Sequence, residues 1–187
     1  MPILLLLFGL FCVWFLGCTT SQQTSSNNSD YHTTNQKYPT LIQTTTSGQD
    51  WCKAQYAPAF RILQLQGKQL YDCLKFQPKA LVYTWRLQEK DGPYPTIDSI
   101  QKHCDLNGIR LYVVADSYQY SLLKKEYALD YPIISINTAY YKSAVPIVYH
   151  KKFLQDLGVI LQSGATGQLH YFQYGHYRGT YKLLTTI

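Results

Sequence analysis

Two short apolar segments with one amphipathic helix between them constrain the fold of this chain most strongly. Residues 80–85 and 109–115 are nearly continuous runs of strand-forming apolar side chains, a pattern typical of strands buried on both faces. Between them, Thr96 can cap a helix that ends at Asn107-Gly108. The residues predicted to face inward from this helix are Ile97, Ile100, Cys104 and the neighbouring Leu106. A strand–helix–strand unit implies parallel strands and therefore predicts an α/β fold.

Two predicted hairpins flank this parallel core. Residues 60–65 and 69–74 surround a glycine turn, which predicts an N-terminal β-hairpin. Residues 169–174 and 177–183 enclose a second glycine turn and predict a C-terminal β-hairpin. The remaining predicted elements are a short strand at 132–136 and helices at 121–127 and around 152–157. Together these elements indicate a mixed sheet.

The N-terminal region is divided sharply by composition. Residues 2–17 form an apolar run without Lys or Arg, shorter than the roughly twenty residues that a transmembrane helix needs. Residues 19–50 carry few charges and are dominated by Ser, Thr, Asn and Gln. Because such a segment buries too little apolar surface to order itself, we expect residues 18–50 to be a flexible tether. Residues 51–187 are then one domain.

The junction between Gly17 and Cys18 resembles the cleavage site of a bacterial lipoprotein. In that family the signal peptide is cut before the cysteine, whose thiol and new amino group then receive fatty acids such as palmitate. The resemblance implies that residues 1–17 are a signal peptide and that Cys18 anchors the protein to a membrane. The expected location is the bacterial cell envelope, facing the periplasm or the exterior. An ordinary secretory signal and a retained anchor helix remain the alternatives.

Several blocks of residues 58–183 resemble the membrane-anchored thioredoxin-like proteins of bacterial envelopes, the redoxin type. Residues 64–68 and 79–85 are similar to the opening hairpin and strand of that family. Val145-Pro146 stands where the family keeps a valine and a cis-proline, and residues 171–179 resemble its closing hairpin. The resemblance implies a thioredoxin-like three-layer sandwich, whose mixed central sheet carries an N-terminal and a C-terminal β-hairpin.

The catalytic pair of the redoxin-type enzymes has no counterpart in this chain. Those enzymes carry Cys-x-x-Cys after the tryptophan, where a helix N-terminus lowers the pKa of the first thiol. The corresponding residues 86–95 contain no cysteine. The resemblance therefore favours a binding protein or an accessory factor for assembly, without a cofactor, that holds an extended polypeptide by strand-like main-chain contacts. The residues expected around its groove are Trp85, Tyr94, Tyr141, Ala144, Val145 and Pro146.

Three cysteines remain in the predicted domain. Cys104 lies on the apolar face of its helix and is expected to be a packed, unreactive thiol. Cys52 and Cys73 either form a structural disulfide, as an oxidising compartment allows, or stay unpaired, because sequence spacing does not reveal the distance between their Cα atoms. If they form a redox-active pair instead, the protein is a thiol–disulfide oxidoreductase, which is the alternative function.

Composition and motifs argue against several other classes. The net charge of +6 comes from scattered basic residues and not from runs, which disfavours nucleic-acid binding and suits a surface near anionic lipid. The histidines lack metal-ligand spacing, and no nucleophile elbow or phosphate-binding glycine loop is present. The 18 tyrosines suit half-buried strands and contact surfaces alike. A structural envelope lipoprotein is therefore a third hypothesis.

Overall fold

A computed structural model describes residues 26–44, 52, 62–85, 95–115, 129–161 and 168–187. Within these ranges the protein has a mixed α/β fold. The strands are β1 (Ile42–Thr44), β2 (Ile62–Leu65), β3 (Ala80–Trp85), β4 (Arg110–Ala115), β5 (Ile133–Ile136), β6 (Leu169–Gln173) and β7 (His176–Tyr181). The helices are α1 (Ser26–Lys37), α2 (Gly67–Leu74), α3 (Ile97–Asn107), α4 (Thr138–Tyr141) and α5 (Pro146–Asp156), followed by a 3-10 turn at Leu184–Thr186.

The seven strands form one mixed sheet in the order β1-β2-β5-β4-β3-β6-β7. The first five strands of this order run parallel, while β6 is antiparallel to β3 and β7 is antiparallel to β6. The predicted mixed sheet and C-terminal hairpin are thereby confirmed. The hairpin turns at Tyr174 and Gly175, which both adopt positive φ angles. Because parallel strands end at one edge, Trp85 and Ala115 lie side by side there.

Helices cover both faces of the sheet, so the core has two halves. Alternate residues of β3 point to opposite faces: Ala80 and Val82 join one hydrophobic cluster, Leu81 and Tyr83 the other. The first cluster contains the buried side chains of α2, α4 and α5, and the second contains those of α3. Strands buried on both faces account for the continuous apolar runs in the sequence.

Helix α3 has the predicted boundaries. The side chain of Thr96 accepts a hydrogen bond from the main-chain N–H of Ser99 at 3.3 Å, and Gly108 ends the helix in the left-handed conformation. Cys104 is fully buried, as expected. Leu106, however, is 78% exposed, so its predicted inward orientation is wrong. Leu106 follows the buried Cys104 by two positions, which is more than half a helical turn, so its side chain points away from the sheet.

The predicted N-terminal hairpin is wrong, since the second of its strands is helix α2. Leu70, Cys73 and Leu74 have helical spacing and are all fully buried, and the two leucines pack against the sheet and α5. The Gln69 side chain caps the first turn by accepting a hydrogen bond from the main-chain N–H of Gln66 at 2.8 Å. The glycine that suggested a turn begins this helix.

Part of the predicted tether is folded against the sheet. Strand β1 pairs in parallel with β2, with Ile42 opposite Ile62. Leu41 and Ile42 are buried in a third cluster, against which Tyr31 and Tyr38 pack. These few apolar side chains order a segment whose average composition is polar, and the structure differs from a flexible tether over residues 26–44. The remainder of the tether, the apolar run at 2–17 and the predicted helix at 121–127 lie outside the described residues.

Candidate functional site

Tyr141 is a buried link between three helices at the edge where the parallel strands end. It is the last residue of α4, and its side chain is only 5% exposed. Its hydroxyl accepts a hydrogen bond from the main-chain N–H of Gly67 at 2.8 Å and donates one to the Asp156 carboxylate at 2.7 Å. The start of α2 and the end of α5 are therefore joined through one phenol.

Close packing of α2 against α5 supports this link. A Cβ atom on Gly67 would collide with the main-chain carbonyl of Phe153 and would lie 2.7 Å from the Cβ of Asp156. Only glycine allows this approach, because it has no Cβ. One helical turn before Asp156, on the same face of α5, the Lys152 ammonium donates a hydrogen bond to the carbonyl of Tyr141 at 3.2 Å.

The Tyr141 phenol stays protonated. Burial raises its pKa well above the ordinary value of 10.0 because it disfavours the phenolate, and the nearby Asp156 carboxylate raises it further. The Gly67 N–H acts in the opposite direction without cancelling the rise. The hydroxyl is therefore a fixed hydrogen-bond donor that cannot serve as a base. Tyr141, which was expected to line the groove, has a structural role instead.

Residues 142–145 connect α4 to α5, and Ala144, Val145 and Pro146 are exposed. Pro146 has a trans peptide bond and is the first residue of α5, so it differs from the cis-proline that the redoxin type keeps at this position. The fixed φ of proline suits this first helical position. The N–H of Val145 donates to the Ser143 hydroxyl at 3.2 Å, and its carbonyl accepts from the N–H of Val148 at 3.0 Å. The main chain of Val145 is therefore already paired, and a partner strand has no free group to pair with there.

Apolar side chains nevertheless remain exposed where α5 begins. Val145 is 38%, Ile147 77% and Val148 39% exposed. Together with exposed Ala144 we call these four residues the α5 entry surface. Lys151 is exposed and follows Ile147 by one helical turn, so it borders the same surface. No acidic residue occurs between residues 131 and 155, so the border is basic.

The other predicted groove residues do not join this surface. Trp85 is half-buried at the end of β3 and packs on the α3 side of the sheet. Tyr141 belongs to the cluster on the opposite side, so the sheet separates these two aromatic residues. Tyr94 and Cys18 lie outside the described residues. The expected single groove is therefore reduced to the short segment at the start of α5.

Cys52 and Cys73 form a disulfide, with their Cα atoms 5.5 Å apart. This distance is ordinary for such a bridge. Cys73 is a residue of α2 and is fully buried, so a substrate thiol has no direct approach to its sulfur. The position of the bridge therefore suits a structural role better than disulfide exchange.

The remaining thiol in the described ranges is Cys104, which is buried in the α3 cluster. Burial raises its pKa to about 12, and the neighbouring Asp105 carboxylate contributes to the rise. Because the thiolate is the reactive form, this cysteine is inert at neutral pH.

A polar network around His170 was not foreseen from the sequence. His170 is 3% exposed; its Nδ1 lies 2.8 Å from the Thr180 hydroxyl and its Nε2 lies 3.5 Å from the Thr84 hydroxyl. The Tyr177 hydroxyl lies 2.6 Å from that of Thr180 and extends the chain. Burial lowers the His170 pKa to about 4, with a smaller contribution from His150. A neutral imidazole thus ties β3, β6 and β7 together. Alternation along the strands could have indicated that Thr84 and His170 both point into the core. It could not have given the register of β3 and β6 that brings the two side chains together.

Comparison with family models, with curated proteins and with solved structures found no match. The function is therefore argued from the geometry of this chain. Within the described ranges, no group of three His, Cys, Asp or Glu side chains is arranged to hold a metal ion. None of the helices described is long and apolar enough to cross a membrane.

Proposed function

We propose that this protein is a lipid-anchored, thioredoxin-like binding protein of the bacterial envelope that captures a polypeptide partner at the α5 entry surface. The observation that carries the proposal is the exposure of Val145, Ile147 and Val148 within four positions of the chain. Exposed apolar side chains grouped together mark interaction sites in soluble domains. In the chain the surface follows β5 and α4, the elements that leave the sheet at the carboxyl ends of its parallel strands, and open α/β sheets commonly bind their ligands beyond those ends.

The thioredoxin-like part of the proposal is supported by a parallel core joined to a C-terminal antiparallel hairpin. Helices on both sheet faces also suit it. The chain departs from the thioredoxin-like expectation in two places, with helix α2 instead of the N-terminal hairpin and with a trans Pro146. Since the Val145 main chain is already paired, the partner packs apolar side chains onto the α5 entry surface and adds no strand there. The basic border favours a partner with acidic residues beside its apolar ones.

Site-specific photo-crosslinking in cells tests the binding surface. A crosslinking side chain at Ile147 should capture a discrete partner, whereas one at Leu106 should not. Leu106 is a matched control because it is an equally exposed apolar residue on α3, 78% against 77%. The substitution Val145→Asp should abolish the product formed from position 147 without lowering the melting temperature. Equal products from both positions, or a product that Val145→Asp leaves unchanged, would contradict the proposal.

Fatty-acid labelling tests the anchor separately. We expect the labelled protein to fractionate with membranes, and the Cys18→Ser variant to lose both the label and the membrane association. Cys12→Ser is the matched control, since it changes a cysteine inside the predicted signal peptide and should leave the label unchanged. Label retained in Cys18→Ser would rule out acylation at this residue.

An oxidoreductase that uses Cys52 and Cys73 is the alternative, and an insulin-reduction assay distinguishes it. The buried position of Cys73 leads us to expect no turnover by the wild-type protein. Turnover that disappears in Cys73→Ser but persists in Cys104→Ser would replace the binding function with the enzymatic one.

A further inference from the structure

A cavity of about 330 Å³ opens at the opposite edge of the sheet, where the parallel strands begin. Its walls are the segments that precede β3 and β5, together with the connection from α3 to β4. This volume lies at the lower end of the range for small-molecule sites. None of the residues of the α5 entry surface lines this cavity, so the cavity is a separate feature and does not depend on the proposed function.

One wall of the cavity carries two carboxylates that converge on one amide. The Gln101 side-chain nitrogen donates hydrogen bonds to Asp105 at 2.7 Å and to Asp130 at 3.3 Å. Gln101 is 6% exposed, so burial holds this nitrogen in place between the two acids. Both aspartates are themselves exposed to the cavity. The neutral amide fixes the positions of the two carboxylates but does not compensate their negative charge.

Two cations line the same cavity. The guanidinium of Arg110 lies over the Tyr131 ring, 4.5 Å from the ring centroid, and this cation–π contact restrains its position. The Lys79 ammonium donates a hydrogen bond to the main-chain carbonyl of Asn107 at 3.3 Å. In the part of the chain that the structure describes, neither cation forms a salt bridge with Asp105 or Asp130. Positive and negative groups are thus present in one small space without neutralising each other by direct contact.

We propose that this cavity binds a small zwitterion, an α-amino acid or a short peptide with free termini. The ammonium group of the ligand lies between Asp105 and Asp130, where its three N–H donors match the carboxylate oxygens. Its carboxylate lies at Arg110 and Lys79, since the forked N–H donors of a guanidinium pair well with the two oxygens of a carboxylate. A ligand with only one of the two charges leaves one side of the cavity unpaired, and this difference provides the specificity.

Calorimetric titration of the full-length protein in detergent tests the site. The probes are alanyl-alanine, N-acetyl-alanyl-alanine, which lacks the ammonium, and alanyl-alanine amide, which lacks the carboxylate. We expect alanyl-alanine to bind at least ten-fold more tightly than either analogue. No heat from alanyl-alanine at millimolar concentration, or equal affinity for all three probes, would overturn the proposal.

Two variants assign the charges within the cavity. Asp130→Asn should weaken the binding of alanyl-alanine at least ten-fold. It should leave the binding of N-acetyl-alanyl-alanine unaffected, because that probe has no ammonium group to pair with Asp130. Arg110→Gln should likewise weaken the binding of alanyl-alanine at least ten-fold. It should leave the binding of alanyl-alanine amide unaffected, because that probe has no carboxylate. Asp98→Asn and Lys68→Gln are matched controls at exposed positions away from the cavity wall. Unchanged melting temperatures show that each variant folds; equal losses in variants and controls would overturn the assignment.

Discussion

The Tyr141 hydroxyl lies 2.7 Å from the Asp156 carboxylate and donates a hydrogen bond to it across 15 residues of chain. The same oxygen accepts the main-chain N–H of Gly67. One side chain therefore holds the loop before α5, the end of α5 and the start of α2 in a fixed arrangement. The α5 entry surface is built on this arrangement, since Ala144 and Val145 follow Tyr141 closely.

Removing the Tyr141 hydroxyl should destabilise the protein. In Tyr141→Phe the buried N–H of Gly67 loses its acceptor and Asp156 loses a donor. We expect the free energy of unfolding to fall by roughly 1–3 kcal/mol, measured by urea denaturation. Tyr140→Phe is the matched control, because that neighbouring tyrosine is 49% exposed. A loss of the same size in both variants would contradict the role given to the Tyr141 hydroxyl.

A methyl group at position 67 should also be costly. Alanine normally favours a helix over glycine, yet in Gly67→Ala the new Cβ would collide with the Phe153 carbonyl. Because a main-chain atom of α5 cannot easily move aside, we expect a loss of roughly 1–3 kcal/mol in the free energy of unfolding. Lys68→Ala, at the exposed next position, should change it little. A higher melting temperature for Gly67→Ala would show that the two helices are less tightly packed.

His170 should make stability depend on pH. Its pKa falls from an ordinary 6.5 to about 4 on folding, so below pH 6.5 the unfolded chain takes up a proton that the folded protein excludes. The free energy of unfolding is therefore greatest above pH 6.5. It decreases as the pH falls towards 4, by up to roughly 3 kcal/mol. Urea denaturation at pH 7.5 and pH 5 measures the loss. His170→Gln should show a smaller difference between the two pH values, and an equal difference would contradict the assignment.

The disulfide should stabilise the domain without taking part in chemistry. Cys52 and Cys73 are 21 residues apart, and closing a loop of that size stabilises a protein by roughly 3 kcal/mol. We expect reductant to lower the free energy of unfolding of the wild type by about that amount. The Cys52→Ser, Cys73→Ser double variant is the control, and reductant should not affect it. A reductant effect of equal size in both would show that the bridge is not its cause.

Much of the fold could be predicted because its determinants are local. The boundaries of α3 follow from Thr96 and Gly108, which satisfy the helix ends within a few residues of themselves. The central strands follow from their apolar runs. Gly67 could not be interpreted locally, since a glycine serves a turn and a close helix contact equally well. What distinguishes the two is Phe153, which lies far along the chain.

The candidate sites were less predictable for the same reason. Trp85 and Tyr141 were both expected in one groove, but the sheet separates them. The two aspartates of the cavity come together only because α3 and the segment before β5 meet beside Gln101. Nothing in the residues adjacent to Asp105 or Asp130 indicates this contact.

The sequence by itself determined the α/β class, the capped helix α3, the parallel core and the C-terminal hairpin, because these depend on short-range periodicity and on the conformational preferences of a few residues. Only the tertiary structure decided that α2 is a helix, that residues 26–44 fold against the sheet, and that charges of both signs line one cavity. Those outcomes depend on contacts between residues distant in the chain, whose free energy of burial exceeds local preference once the sheet has formed.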